Sequence, residues 1–133
     1  MSATSPQPFE PGPRLIDGTK LNGELSWPTA SVEAAATATG TTIDDAFQIK
    51  AAITQFSTVA ATTGALLPDL DVGQSAVIYN DGASALTVYA PDGATIDGTA
   101  GATGVALANA KRCQYTRISA TAWISAQLGA VSA

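Results

Sequence analysis

The residues of this chain best suited to chemistry are its carboxylates. The stretch "IYNDGASALTVYAPDGATIDG" (78–98) sets three aspartates, Asp81, Asp92 and Asp97, each before a glycine and around one apolar run. Asp44, Asp45, Asp69 and Asp71 add further carboxyl groups. A hard cation such as calcium wants several oxygens, supplied by aspartates at alternating positions of one loop. No D-x-D-x-D-G loop occurs, and "PDGATIDG" lacks the glycine-aspartate nonapeptide of calcium-binding β-helices. Two carboxyls some ångströms apart would suffice for glycoside hydrolysis. Such enzymes also need a cleft walled by aromatic platforms, and the chain has two Trp and three Tyr. Asp-Gly pairs tolerate positive φ, and the Asp side chain bonds the next amides of a tight turn. The three pairs therefore read as turn residues joining strands.

Nucleophilic chemistry fares no better. There is no histidine, which removes the commonest general base and the Ser-His and Cys-His pairs. Cys113 stands alone, so no intramolecular disulfide and no cysteine-based zinc site is expected. Lys111 and Arg112 beside it would favour a thiolate, but a lone cysteine in a strand pattern reads as a small apolar filler. The group Lys111, Arg112 and Arg117 either meets an acidic neighbour or protects a solvated strand edge with charge. No catalytic residue, metal ligand or cofactor is expected, and the chain is read as a non-enzyme.

Composition narrows the partners. The net charge is −5 with six Lys and Arg, and a nucleic-acid surface needs clustered cations. No basic-then-apolar leader opens the sequence, and no apolar run approaches ~18 residues. A soluble chain with neither nucleic acid nor membrane as partner is expected. Apolar residues make up 46 % of its 133, but alanine supplies many of them and aromatics only 6 %. A core of that kind buries little area per residue, so association with other chains is expected to add stability.

Two regions must position these groups. Residues 1–33 hold five of the seven prolines (Pro6, Pro8, Pro11, Pro13 and Pro28) and no sustained period. Pro6 to Pro13 would interrupt helix and ladder alike, which predicts an extended arm. Its spaced apolar side chains, Phe9, Leu15, Ile16, Leu21, Leu25 and Trp27, are the candidate partner-binding residues, since a purely solvated linker would not carry them. Residues 34–133 break into short apolar runs punctuated by Gly, Asp and Pro. "QSAVIYN" (74–80) and "ALTVYAP" (85–91), joined by "NDGAS", predict a hairpin. "GVALANA" (104–110), "KRCQYTRIS" (111–119) and "AWISAQL" (122–128) continue as strands. In the last, Ile124, Ala126 and Leu128 share a face opposite Trp123, Ser125 and Gln127.

The segment 41–56 carries two signals. Thr42 and Asp45 sit like a helix N-cap and its third-position acid, yet Phe47, Ile49, Ala51 and Ile53 alternate, and strand is the preferred assignment. "STVAATTGALLPDLDVG" reads as a strand, a break at Gly64 and a turn at Pro68–Gly73. Six to eight short strands without an exact internal repeat predict an all-β domain, a small antiparallel β-sandwich or barrel behind a Pro-rich arm.

The runs "GALLPDLDVGQSAVIYNDGASALTVYAPDGATIDG" (64–98) and "VALANAKRCQYTRISATAWI" (105–124) resemble a small β-domain of accessory virion proteins of tailed bacteriophages. "RLIDGTKLN" (14–22) resembles the lead-in of such proteins. The resemblance implies a structural role, in head decoration or cement, head fibres, or neck and tail parts, with no catalytic residues to carry over. The chain is short, without a repeat array, heptads or a receptor-binding tip, which favours a compact capsid decoration or cement subunit anchored through its arm. Implied partners are the major capsid protein or other virion subunits, and copies of itself, a trimer being one option. The implied location is the particle surface, after synthesis in the host cytoplasm. A neck, tail or head-fibre part stays open, as does a carbohydrate-binding module using Trp27, Tyr79, Tyr89, Tyr115 and Trp123.

Overall fold

The computed structural model describes residues 31–130, which lie in the second of two units, Ser31–Ala133. Eleven strands run in chain order: β1 Val32–Thr37, β2 Phe47–Gln48, β3 Ile53–Thr58, β4 Gly64–Leu66, β5 Ser75–Asn80, β6 Leu86–Tyr89, β7 Thr95–Ile96, β8 Thr99–Ala100, β9 Val105–Leu107, β10 Lys111–Ser119 and β11 Ala122–Ala130. The described residues are all-β, without a helix. The strands outnumber the expected six to eight because β2, β7 and β8 are only two residues long.

The sheets are mixed, not antiparallel. A seven-stranded sheet has the order β1-β3-β5-β10-β11-β7-β8, and a four-stranded sheet the order β2-β4-β6-β9. Five of the nine strand pairings are parallel. The chain alternates between the sheets through three coils, β1–β2, β3–β4 and β5–β6, in a solenoid-like path. Equivalent positions are Val32, Ile53 and Val77 in the large sheet, and Phe47, Ala65 and Val88 in the small one. Their unequal spacing and unlike residue types hide the repeat from inspection of the sequence. The antiparallel pair β10–β11 then ends the coiling against β5.

The expected hairpin 74–91 is replaced by an arch. β5 and β6 lie in different sheets because the chain after β5 folds around Asn80, whose side chain is fully buried. The Asn80 amide donates to Ser84 O and Leu107 O at 2.9 Å each, and its Oδ1 accepts from Gly82 N at 3.0 Å. These bonds satisfy the buried amide where the chain crosses to the other sheet, and the one to Leu107 O ties the arch to β9. Gly82 also rests on the preceding arch: a Cβ there would lie 2.6 Å from Val59 N.

The region 41–56 is turn and strand. Thr42 O accepts from Asp45 N and Ala46 N, giving a single turn before β2. Phe47, Ile49 and Ala51 point in while Gln48 and Lys50 are exposed, as the alternation predicts. The corner at Ala51–Ala52 then reverses the phase, so Thr54 and Phe56 are buried and Ile53 is not. Gly64 opens β4 instead of breaking the chain.

The core lies between the sheets. Phe56, Ile78, Tyr115 and Trp123 come from the large sheet, and Ala65, Leu86, Val88 and Leu107 from the small one. Phe47 on β2 meets Phe56 on β3 edge to face, with centroids 5.2 Å apart. One defect sits in this core: Thr54 is fully buried and its Oγ1 has no hydrogen-bond partner. Thr54→Val should therefore be neutral or stabilising by about 1 kcal/mol, whereas Asn80→Ala should cost about 2–4 kcal/mol by stranding its three partners. Urea unfolding of the two variants checks both signs.

Candidate functional site

The aspartates of the Asp-Gly pairs are used by three different turns. The Asp81 carboxylate accepts from Gln55 Nε2 at 2.7 Å, beside the Asn80 arch. Asp92-Gly93 forms the centre of a turn closed by Ala94 N donating to Pro91 O at 3.0 Å, with Gly93 at φ +86°. That positive φ at the third position marks a type II turn, where glycine is favoured. Asp97 and Gly98 join the paired strands β7 and β8 with φ +50° and +85°, as a two-residue type I′ hairpin requires. The Asp97 carboxylate accepts from Ser125 N and Ser125 Oγ. Among the described residues, no group of three or more His, Cys, Asp or Glu is placed to hold a metal ion.

One aspartate of the three faces a cavity. Ile43, Asp44, Leu66, Pro91 and Asp92 line a cleft of about 450 Å³. Beside Leu66 in the register lies Tyr89, whose hydroxyl donates to Thr41 O at 3.0 Å. Its ring fits between two glycines: a Cβ on Gly64 would lie 2.5 Å from Tyr89 Cε2, and one on Gly104 3.0 Å from Cδ1. The loop supplying Ile43 and Asp44 is held by Asp45, whose Oδ1 accepts from Thr41 N, Thr42 N and Thr42 Oγ1 at 2.9, 2.8 and 3.0 Å. This is half of the predicted capping box, closing one turn with no helix behind it. The bonds from Thr42 hold the Asp45 carboxyl below its ordinary 3.8. Asp44 and Asp92 thus share the lining of this cleft with the apolar Ile43, Leu66 and Pro91.

The second candidate is the outer face of the large sheet. Val32, Ile53, Val77, Gln114 and Ala126 fall in one register row across five strands. Val32 is 62 % exposed, and beside Ala126 on β11 Ile124 and Leu128 are 45 % and 51 % exposed. The sequence pattern placed Ile124, Ala126 and Leu128 together, and the structure turns them outward while burying Trp123. Alternation defines two faces without saying which is inside, and the bulk of Trp123 is the signal that settles it. Gln114 Nε2 donates to Ser75 Oγ at 3.0 Å, which holds this polar side chain to its neighbour.

The cations do not form one patch. β10 is a central strand between β5 and β11, so the edge-protection reading of Lys111, Arg112 and Arg117 does not hold. Arg112 lies over the Tyr79 ring, 4.5 Å from its centroid. Arg117 meets Asp69 at 3.3 Å and donates to Leu70 O, Ser119 O and Ala120 O, fastening the 67–74 loop to the β10–β11 turn. Cys113 is buried between strands, as a filler would be. Of the possible sugar platforms, Tyr89, Tyr115 and Trp123 are buried, and burial pushes the Tyr115 hydroxyl well above its ordinary 10.0. Phe9, Leu15, Ile16, Leu21, Leu25 and Trp27 lie outside the described residues. No family model, curated protein or solved structure matches the chain.

Calcium or EDTA should leave the melting temperature nearly unchanged, because a site filled at about 100 times its Kd would add about 2.7 kcal/mol. A rise of many degrees with calcium would overturn the turn-residue reading. A depressed carboxylate pKa stabilises the fold above its unfolded value, and that contribution is lost as pH falls through the folded one. The Thr42 amide resonance should therefore titrate with a midpoint below 3.8, and Asp45→Asn should abolish the step.

Proposed function

We propose that this chain is a structural subunit of a tailed-bacteriophage particle, most specifically a capsid decoration or cement subunit attached through its N-terminal arm. The observation that carries a binding role is the outward face of the large sheet, where Ile124, Ala126 and Leu128 stand exposed along β11. Large apolar side chains gathered on one exposed sheet face mark an interaction surface. The resemblance of residues 64–98 and 105–124 to accessory virion proteins supplies the particle as the setting. The reading keeps a compact sandwich-like β-domain outside the shell and makes the major capsid protein, other virion subunits and further copies of the chain its partners.

The arm would provide the anchor. Fixing a backbone residue costs on the order of 1–2 kcal/mol, and each well-buried large side chain returns roughly 1.5–3 kcal/mol. Phe9, Leu15, Ile16, Leu21, Leu25 and Trp27 are the anchors, helped by backbone bonds to a neighbour's strand edge. Prolines that already restrict the chain lower the ordering cost.

The test is binding of purified full-length chain to particles lacking it, read by co-sedimentation and particle imaging. Replacing Leu15, Ile16 and Leu21 together by Ser should remove most binding without lowering the melting temperature. Ile124→Asp with Leu128→Asp should weaken binding or self-association, again with the fold intact. Undiminished decoration by the arm variant would refute the anchoring mechanism. Failure of the unaltered chain to bind any particle surface would refute the virion assignment.

A further inference from the structure

The three Asp-Gly pairs among the described residues share a sequence but differ in their surroundings. At an Asp-Gly step the glycine nitrogen can attack the aspartate Cγ, because no Cβ on the glycine hinders the approach. The new C–N bond closes a five-membered succinimide. The carboxyl C–O bond breaks, and the hydroxyl leaves with the amide proton as water. Water then adds to either ring carbonyl. Addition at the former backbone carbonyl breaks its bond to nitrogen and leaves the chain running through Cβ, an isoaspartyl linkage of unchanged composition. The step needs a carboxyl group free to swing, an amide nitrogen free of other bonds and room for the turn to deform.

Asp81 fails all three conditions. Its carboxylate accepts from Gln55 at 2.7 Å, Gly82 N donates to Asn80 Oδ1 at 3.0 Å, and Gly82 is pressed against Val59. Asp97 fails the first, because Ser125 donates to both of its carboxylate oxygens, and its own backbone N donates to Trp123 O at 2.9 Å. Asp92 meets them. It is exposed, and neither its carboxylate nor Gly93 N takes part in any hydrogen bond or ion pair among the described residues. A Cβ on Gly93 would touch nothing within 4 Å. Only the Ala94 N to Pro91 O bond closes that turn.

We infer that Asp92-Gly93 is a site of spontaneous succinimide formation in the folded protein, yielding isoaspartate at the rim of the Ile43–Asp44–Leu66 cleft. The linkage adds a methylene to the backbone and displaces the carboxylate of Asp92 at the cleft that Asp44 also lines. The product is a substrate in kind for an isoaspartyl carboxyl methyltransferase. This inference does not rest on the virion reading.

The experiment incubates the full chain in heavy-oxygen water at neutral pH. Each passage through the succinimide leaves one heavy oxygen at that residue, and fragment-ion mass spectrometry assigns the label to Asp81, Asp92 or Asp97. The same fragments separate any label at Asp17-Gly18 or Asn22-Gly23. Label should enter Asp92 at least about tenfold faster than Asp81 or Asp97, the ratio that a barrier difference near 1.4 kcal/mol gives. In denaturant the three rates should converge. Asp92→Glu should remove the fast site, and Ser125→Ala should raise the rate at Asp97 toward that of Asp92. Equal labelling of the three in the folded chain overturns the inference. So does an unlabelled Asp92 over a time in which the denatured chain labels at all three.

Discussion

The structure depends on the chain returning to the same sheet in register after each excursion to the other one. Thr54 must lie beside Ile78, and Ile78 beside Cys113, or the buried and exposed faces of the large sheet exchange places. Parallel neighbours cannot be joined by a tight turn, so register here is set by the arches. The arch after β5 is fixed by Asn80, which fastens Ser84 and Gly82 within the arch and Leu107 on the neighbouring β9. One buried amide thus couples the end of β5 to β9, the edge strand of the small sheet. It also explains why a polar side chain is tolerated where the neighbouring inward positions are apolar.

What the sequence made legible was what local chemistry decides. Period-2 runs gave the strand class, and Asp97-Gly98 reads as a tight turn because both residues tolerate positive φ. The topology was hidden because it turns on distant partners. "NDGAS" serves a hairpin or an arch equally well until the carbonyl of Leu107 is known to receive the Asn80 amide. The coil repeat was hidden for another reason: equivalent positions hold Phe47, Ala65 and Val88, which share only apolarity and fall at uneven intervals.

The candidate surfaces divide in the same way. The row Ile124, Ala126 and Leu128 could be read from alternation, but its outward orientation needed the burial of Trp123. The cleft joins residues from the loop before β2, from β4 and from the turn after β6, which no local pattern links. Arg117 shows how charge is used in this fold. It holds a loop through three carbonyl groups and Asp69, so a cation that reads as a partner contact serves the chain's own closure.

The direction of the strands has a mechanical consequence. β11 is antiparallel to β10, which is antiparallel to β5, and β5 and β3 run parallel to β1, so the first and last strands point the same way. The chain thus enters β1 at one end of the sheet and leaves β11 at the other, four strand spacings away, or about 19 Å. Tension between the preceding and following segments would act along the strands and load their ladders in shear. Bonds loaded that way must fail together instead of opening one after another. A chain pulled by its two ends would hold until the whole sheet gives way, its lifetime under load set by the unfolding rate.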